Sequence, residues 1–178
     1  MTMIVTTPAL DLTAVNAMDR DAFVAALGGA FEHSPWVADS AWGARPFRSV
    51  DELHASMVDV VRGLPREARV AFLCAHPELA GKEAEAGTMT TDSEAEQASA
   101  GLDALGPGEL AELHRLNVRY RERHGFPFVI AVRQHDKAEI FEQLRRRTER
   151  DSDVELDEAM SQIAAITRLR VGHLVRAS

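Results

Sequence analysis

Apolar positions recur at spacings of three and four along most of this chain, the period of helices with one buried face. Asp19 is placed to cap a helix carrying Phe23, Val24 and Leu27, which Gly28-Gly29 ends. Phe31 to Phe47 holds Pro35, Gly43, Pro46 and both tryptophans, and reads as irregular. Ser49 with Glu52 predicts a capping box. The helix behind it carries Leu53, Met57, Val60, Val61 and Leu64. Pro65 suits the first turn of the next helix, Arg66 to about Ala75. The end of that helix, from Val70, is apolar all round, which predicts burial. Pro77 disfavours helical backbone at His76, and Gly81 to Met89 reads as a mobile linker. Thr91 with Glu94 predicts a second capping box and a helix to about Leu102. Gly106-Pro107-Gly108 starts another, with Leu110, Leu113, Leu116, Asn117 and Tyr120 inward and Gly125 closing it.

Phe126 to Val132 is the one strand-like run, and no second strong strand candidate exists to pair with it. It reads as a buried extended segment or as the start of a helix after Pro127. Asp136 with Glu139, and Ser152 with Glu155, open the last two helices. The expected fold is all-α: a single-domain bundle of about seven to nine helices over 12–176, behind an N-terminal tail at 1–11.

Composition narrows the possibilities. At 178 residues, 46% hydrophobic and 27% charged, the chain suits one ordinary globular domain. Its net charge of −8 argues against nucleic acid, which calls for a basic patch. Asp and Glu flank the one basic run, Arg145-Arg146-Arg147. No apolar run approaches the ~20 residues of a membrane helix. The start, Met1 to Leu10, has no signal-peptide pattern. A lone cysteine, Cys74, cannot form an intramolecular disulfide, so a cytoplasmic protein is the simplest expectation.

Three groups of residues could carry chemistry. His76 stands at a forced helix end, and an imidazole can give and take a proton near neutrality. A histidine that merely ends a helix is the alternative. Ser93, Glu96 and Gln97 share one helical stripe and offer a hydroxyl, a base and an amide. That set suits a polar ring with urea-like edges; a solvated surface stripe is the alternative. Arg170 falls on the apolar face of the last helix, among Met160, Ile163, Ile166 and Leu174. An arginine there needs a partner, either a substrate carboxylate or an internal acid. Cys74 reads as a small core residue. The other histidines are scattered without metal-binding spacing, and there is no glycine-rich phosphate loop.

The motifs, in order, resemble a known family. Phe31-Glu32-His33-Ser34-Pro35-Trp36-Val37-Ala38 is followed by Arg45-Pro46-Phe47. Then come His76-Pro77-Glu78-Leu79-Ala80 and Ser93-Glu94-Ala95-Glu96-Gln97, leading to Ala100-Gly101-Leu102. Leu116-Asn117, Tyr120, Gly125-Phe126-Pro127-Phe128-Val129-Ile130 and Leu169-Arg170-Val171 complete the set. From about Leu12 to Leu174 the chain resembles the 2-oxo-4-hydroxy-4-carboxy-5-ureidoimidazoline (OHCU) decarboxylases of urate degradation. The resemblance implies an all-α fold, usually a homodimer, that uses no cofactor and releases (S)-allantoin and carbon dioxide. It makes His76 and Glu96 the catalytic pair. It assigns substrate binding to Pro77, Ser93, Gln97, Arg170 and the backbone around Phe128 to Ile130.

Three features depart from the family's pattern: His124 where an aromatic is common, Val171 for Leu, and the stretch Arg147 to Asp153. Two other functions suit the same residues. A hydrolase of a related ureide or imidazolone ring would use His76 and Glu96 to activate water. A non-catalytic helical module would bind a small ligand or a partner.

Overall fold

The computed structural model describes residues 7–178. Among them are ten α-helices, three short 3₁₀ segments and one two-stranded sheet, so the fold is predominantly helical, as expected. The chain falls into two compact units, one comprising residues up to 63 together with 167–178, the other residues 64–166.

The first unit opens with β1 (Leu10–Asp11), which pairs in parallel with β2 (Val175–Arg176), Leu10 opposite Val175. The expected tail at 1–11 lies partly outside the described residues, and its last two residues are this strand. Asp11 also caps α1 (Leu12–Ala17) by accepting from the Thr13 amide at 2.8 Å. The Ser178 hydroxyl, and then that amide, hold the Asp11 carboxyl below its ordinary pKa. Asp19 caps α2 (Arg20–Leu27) through the Ala22 amide at 2.8 Å. The stretch read as irregular contains a helix, α3 (Trp36–Ala41), which the αR backbone of Pro35 leads into. α4 (Val50–Arg62) starts at Ser49, whose hydroxyl accepts from the Glu52 amide at 3.0 Å. The expected box is half formed, because Glu52 Oε2 takes the Arg48 amide at 2.7 Å. Phe23, Leu27, Val37, Ala38, Leu53 and Met57 are fully buried.

The second unit holds α5 (Arg66–Leu73), α6 (Lys82–Ala86), α7 (Thr91–Ser99), α8 (Pro107–His124), α9 (Lys137–Thr148) and the start of α10 (Ser152–Leu174). Pro65 sits one position before α5 as its N-cap. The apolar end of that helix is one-sided: Phe72 and Leu73 are buried, whereas Cys74, expected in the core, is exposed just past the last turn. The segment read as a mobile linker carries α6, which Gly87 ends in the left-handed region at φ 67°. α7 is capped by Thr90, not Thr91, its hydroxyl accepting from the Ser93 amide. Gly125 ends α8 at φ 82°, the αL geometry that suits glycine. Asp136 and Glu139 form the complete capping box at the start of α9.

Phe126 to Ala131 is the buried extended segment, with no partner strand among the described residues. Buried backbone groups need partners, and side chains supply them. Arg147 Nη1 donates to Val129 O at 2.9 Å, and Gln162 Oε1 accepts from the Ala131 amide at 3.0 Å. Arg147 is itself fully buried, 4.6 Å over the Phe128 ring and ion-paired with Glu155 at 2.6 Å. Tyr120 donates to the same Glu155 oxygen at 2.5 Å. Burial first, and then this carboxylate, raise the Tyr120 phenol far above its ordinary pKa. Glu155 is therefore not half of a capping box with Ser152. Asp151 caps α10 instead, through the Asp153 amide at 2.9 Å.

Two of the departures from the family pattern touch each other here. His124 Nε2 donates to Arg147 O at 3.1 Å, and its Nδ1 meets Ser152 Oγ at 2.8 Å. A phenyl ring at 124 could make neither bond. Removing one partner of a buried ion pair strands the other, a loss of about 3–5 kcal/mol. Glu155→Ala should destabilise the protein by that order, read from the shift of its urea midpoint.

Candidate functional site

The site is built around the break after α5. His76 donates its amide to Leu73 O at 3.0 Å, the last helical bond before Pro77 turns the chain away. The imidazole is buried, edge-on to Phe72 at 5.1 Å between ring centres. Its Nδ1 lies 3.2 Å from Phe72 O. A carbonyl only accepts, so Nδ1 is the donor in this contact.

The five residues after His76 make a tight loop. Ala80 stands at φ 46°, a left-handed conformation that an alanine adopts only where its surroundings impose it. Gln97, from α7, accepts from the Ala80 amide at 2.8 Å. Three side chains on one stripe of α8 hold the other polar groups. His114 Nε2 donates to Ala80 O at 2.7 Å, Asn117 Nδ2 to Leu79 O at 3.0 Å, and Arg121 Nε to Glu78 Oε1 at 2.8 Å.

The α7 stripe follows its predicted spacing. Ser93 and Gln97 are buried and Glu96 is half-buried. Because Gln97 bonds to Ala80, this stripe is tied to the loop that follows His76. Gln97 is thus engaged at both ends of its amide, since Nε2 lies 3.5 Å from Glu78 O and 3.2 Å from Met89 Sδ. A cavity of about 660 Å³ beside α7 is lined by Gln97 itself together with Ala80, Ala84, Met89, Ala98 and Leu102. Neither His76 nor Glu96 lines it. Phe128 and Ile130 are buried in the extended segment fastened by Arg147 and Gln162.

Arg170 belongs to the other unit. There it is buried and pairs with Glu32 at 3.0 Å, with Ala30 O at 3.4 Å from the same nitrogen. The internal acid that was the alternative to a substrate carboxylate is present, and it is Glu32 of the early motif. Sequence reading missed His114, Asn117 and Arg121 as a set. Their spacing of three and four was the available signal, since it puts all three on one helical stripe. Among the described residues no cluster of His, Cys, Asp and Glu could hold a metal ion, and no helix is long and apolar enough to cross a membrane.

The helical fold places the chain in a defined class. It superposes on a crystal structure of (S)-allantoin synthase with TM-score 0.75 at 24% identity, over 93% of this chain and 54% of that one. The chain thus spans about half the length of that structure. Sequence narrows the class to a family. The OHCU decarboxylase family model matches residues 16–172, and the chain belongs to that family. The 2-oxo-4-hydroxy-4-carboxy-5-ureidoimidazoline decarboxylase of Haloferax volcanii is 44% identical over 91% of this chain and 94% of its own. The decarboxylase of that name from Mus musculus is 37% identical, covering 94% of each chain.

The loop's tightness is testable at Gly81. A Cβ there would stand 2.8 Å from Glu78 Cβ, too close without a backbone shift. Gly81→Ala should cost roughly 1–3 kcal/mol, as overpacking typically does, and should lower the melting temperature in a thermal scan.

Proposed function

We propose that this protein decarboxylates 2-oxo-4-hydroxy-4-carboxy-5-ureidoimidazoline to (S)-allantoin and carbon dioxide, with His76 and Glu96 as the acid/base pair. Family membership over 16–172 supports the reaction. The observation that carries the site is the His76 ring. Its Nδ1 contact with Phe72 O orients the ring at the helix end, and Nε2 is the nitrogen this reading assigns to proton transfer with the substrate.

The chemistry needs an electron sink. When the bond to the carboxylate carbon breaks, its electron pair moves into the substrate's own conjugated ring, so the reaction calls for no cofactor. His76 Nε2 takes the proton of the substrate hydroxyl, with Glu96 beside it in the proton transfers. Delivery of a proton to one face of the resulting carbanion gives a single enantiomer. Pro77 shapes the pocket wall, Ser93 and Gln97 meet the ring and ureido edges, and the backbone of Phe128 and Ile130 completes the enclosure. Donors aimed at developing charge lower the barrier. Arg170 reads as a contact for the substrate's carboxylate edge, in exchange with Glu32. Gln97 keeps its oxygen on the Ala80 amide and meets the substrate through its amide nitrogen. A homodimer in the cytoplasm completes the reading; the exposed, unbridged Cys74 suits a reducing compartment.

A hydrolase of a related ring would use the same pair to activate water, and a binding module would make no product. Circular dichroism separates the three when the protein joins urate oxidase and hydroxyisourate hydrolase. Rapid growth of the (S)-allantoin signal together with carbon dioxide supports the decarboxylase, and the slow racemic background alone refutes it. Proton transfer by a placed group is worth about 10²–10⁴-fold. His76→Ala and Glu96→Ala should each lose that much in kcat while the far-ultraviolet spectrum stays helical. Near-native rates in either would end that residue's assignment. Light scattering at twice the mass of the 19.5 kDa chain would support the dimer, and a monomer mass would remove it.

A further inference from the structure

The five residues after His76 are held by side chains of two other helices. The backbone there has left the helix, so its polar groups need outside partners. Three side chains provide them, Gln97 from α7 and His114 and Asn117 from α8, and Arg121 from α8 adds an ion pair to the loop's Glu78 carboxylate. The loop they hold contains the left-handed Ala80 and ends at a glycine packed against Glu78. A strained turn persists only when its surroundings over-determine it. Without the clamp, Ala80 would relax toward negative φ, and the shift would pass through Pro77 to the His76 Cα.

Asn117 is the centre of this clamp. It is 3% exposed, and its Nδ2 reaches Leu79 O. The reverse amide orientation would set Oδ1 against that carbonyl, so the orientation is fixed by chemistry. His114 Nε2 donates to Ala80 O, because a carbonyl only accepts.

We propose that Asn117 and His114 are positioning residues, which hold the 77–81 loop so that His76 presents Nε2 to the substrate. This rests on the reading of His76 as a catalytic residue. Neither side chain is asked to touch the reacting atoms.

The test compares Asn117→Leu, nearly equal in size but without a donor, with His114→Ala, His114→Gln and Val118→Ala. Val118 is 55% exposed on α8 and serves as the control. Misplacing a catalytic group by about 1 Å can cost up to about 10²-fold. Asn117→Leu and His114→Ala should therefore lose roughly ten- to a hundredfold in kcat with KM little changed. His114→Gln, which can still donate to Ala80 O, should recover most of the loss. In protein labelled with ¹³C-histidine, the His76 ring resonance, assigned by its loss in His76→Ala, should move in the two damaging variants and stay in Val118→Ala. If Asn117→Leu does not fold, the half-buried His114 carries the same test. Native kcat with an unmoved His76 resonance overturns the proposal, as does a loss of stability alone with that resonance unmoved. If His76→Ala is itself active, the reading of the site has failed instead; if His76→Ala is dead and the clamp variants are native, only the clamp has failed.

Discussion

A proline after a buried histidine sets the central constraint on the second unit. Pro77 takes the chain out of α5, and the backbone groups of the next residues must find partners away from any helix or sheet. α7 and α8 meet that demand with side chains. Gln97 takes the Ala80 amide and His114 and Asn117 take two carbonyls, while Arg121 ties the loop's Glu78 side chain to α8. The same bonds that satisfy the loop also fix the approach of α7, and with it Ser93 and Glu96, to the chain segment that bears His76.

The extended segment at Phe126 to Ala131 poses the same problem and has the same kind of answer. A lone strand with no neighbour exposes donors and acceptors on both edges. Here Arg147 and Gln162 cover two of them. Arg147 can be used inside the protein because Glu155 neutralises it and the Phe128 ring lies beneath it. Breaking such a pair costs far more than the pair contributes, so a change at Arg147 or Glu155 alone strands the other in the core. His124 joins them through Arg147 O and Ser152. The local departures from the family pattern at 124 and 147–153 are therefore one packing solution rather than two unrelated differences.

Polar side chains with partners elsewhere in the chain are the feature least legible in the sequence. The Gln97 stripe suits a substrate, and the Gln97 amide braces the 77–81 loop. Glu155 follows Ser152 at capping-box spacing and is a core counter-ion. Arg170 calls for a substrate carboxylate or an internal acid, and Glu32 is the acid beside it. In each case residue type and helical face were legible, but the partner comes from another part of the chain.

What the sequence determined by itself was local or periodic. The 3.6-residue pattern located most helices, Asp19, Asp136 and Gly125 marked helix ends, and Pro77 marked the break that defines the site. The ordered motifs from Phe31 to Arg170 carried the family, because they record many positions at once. What only the tertiary structure decided was which polar groups meet. The α3 and α6 helices lie in stretches whose prolines and glycines suggest loops, and Cys74 is exposed despite apolar neighbours, because packing chose which face turned inward. The His114–Asn117–Arg121 stripe is plain once the loop is seen against it. Spacing along one helix tells which side chains share a face, and only the fold tells what that face is turned toward.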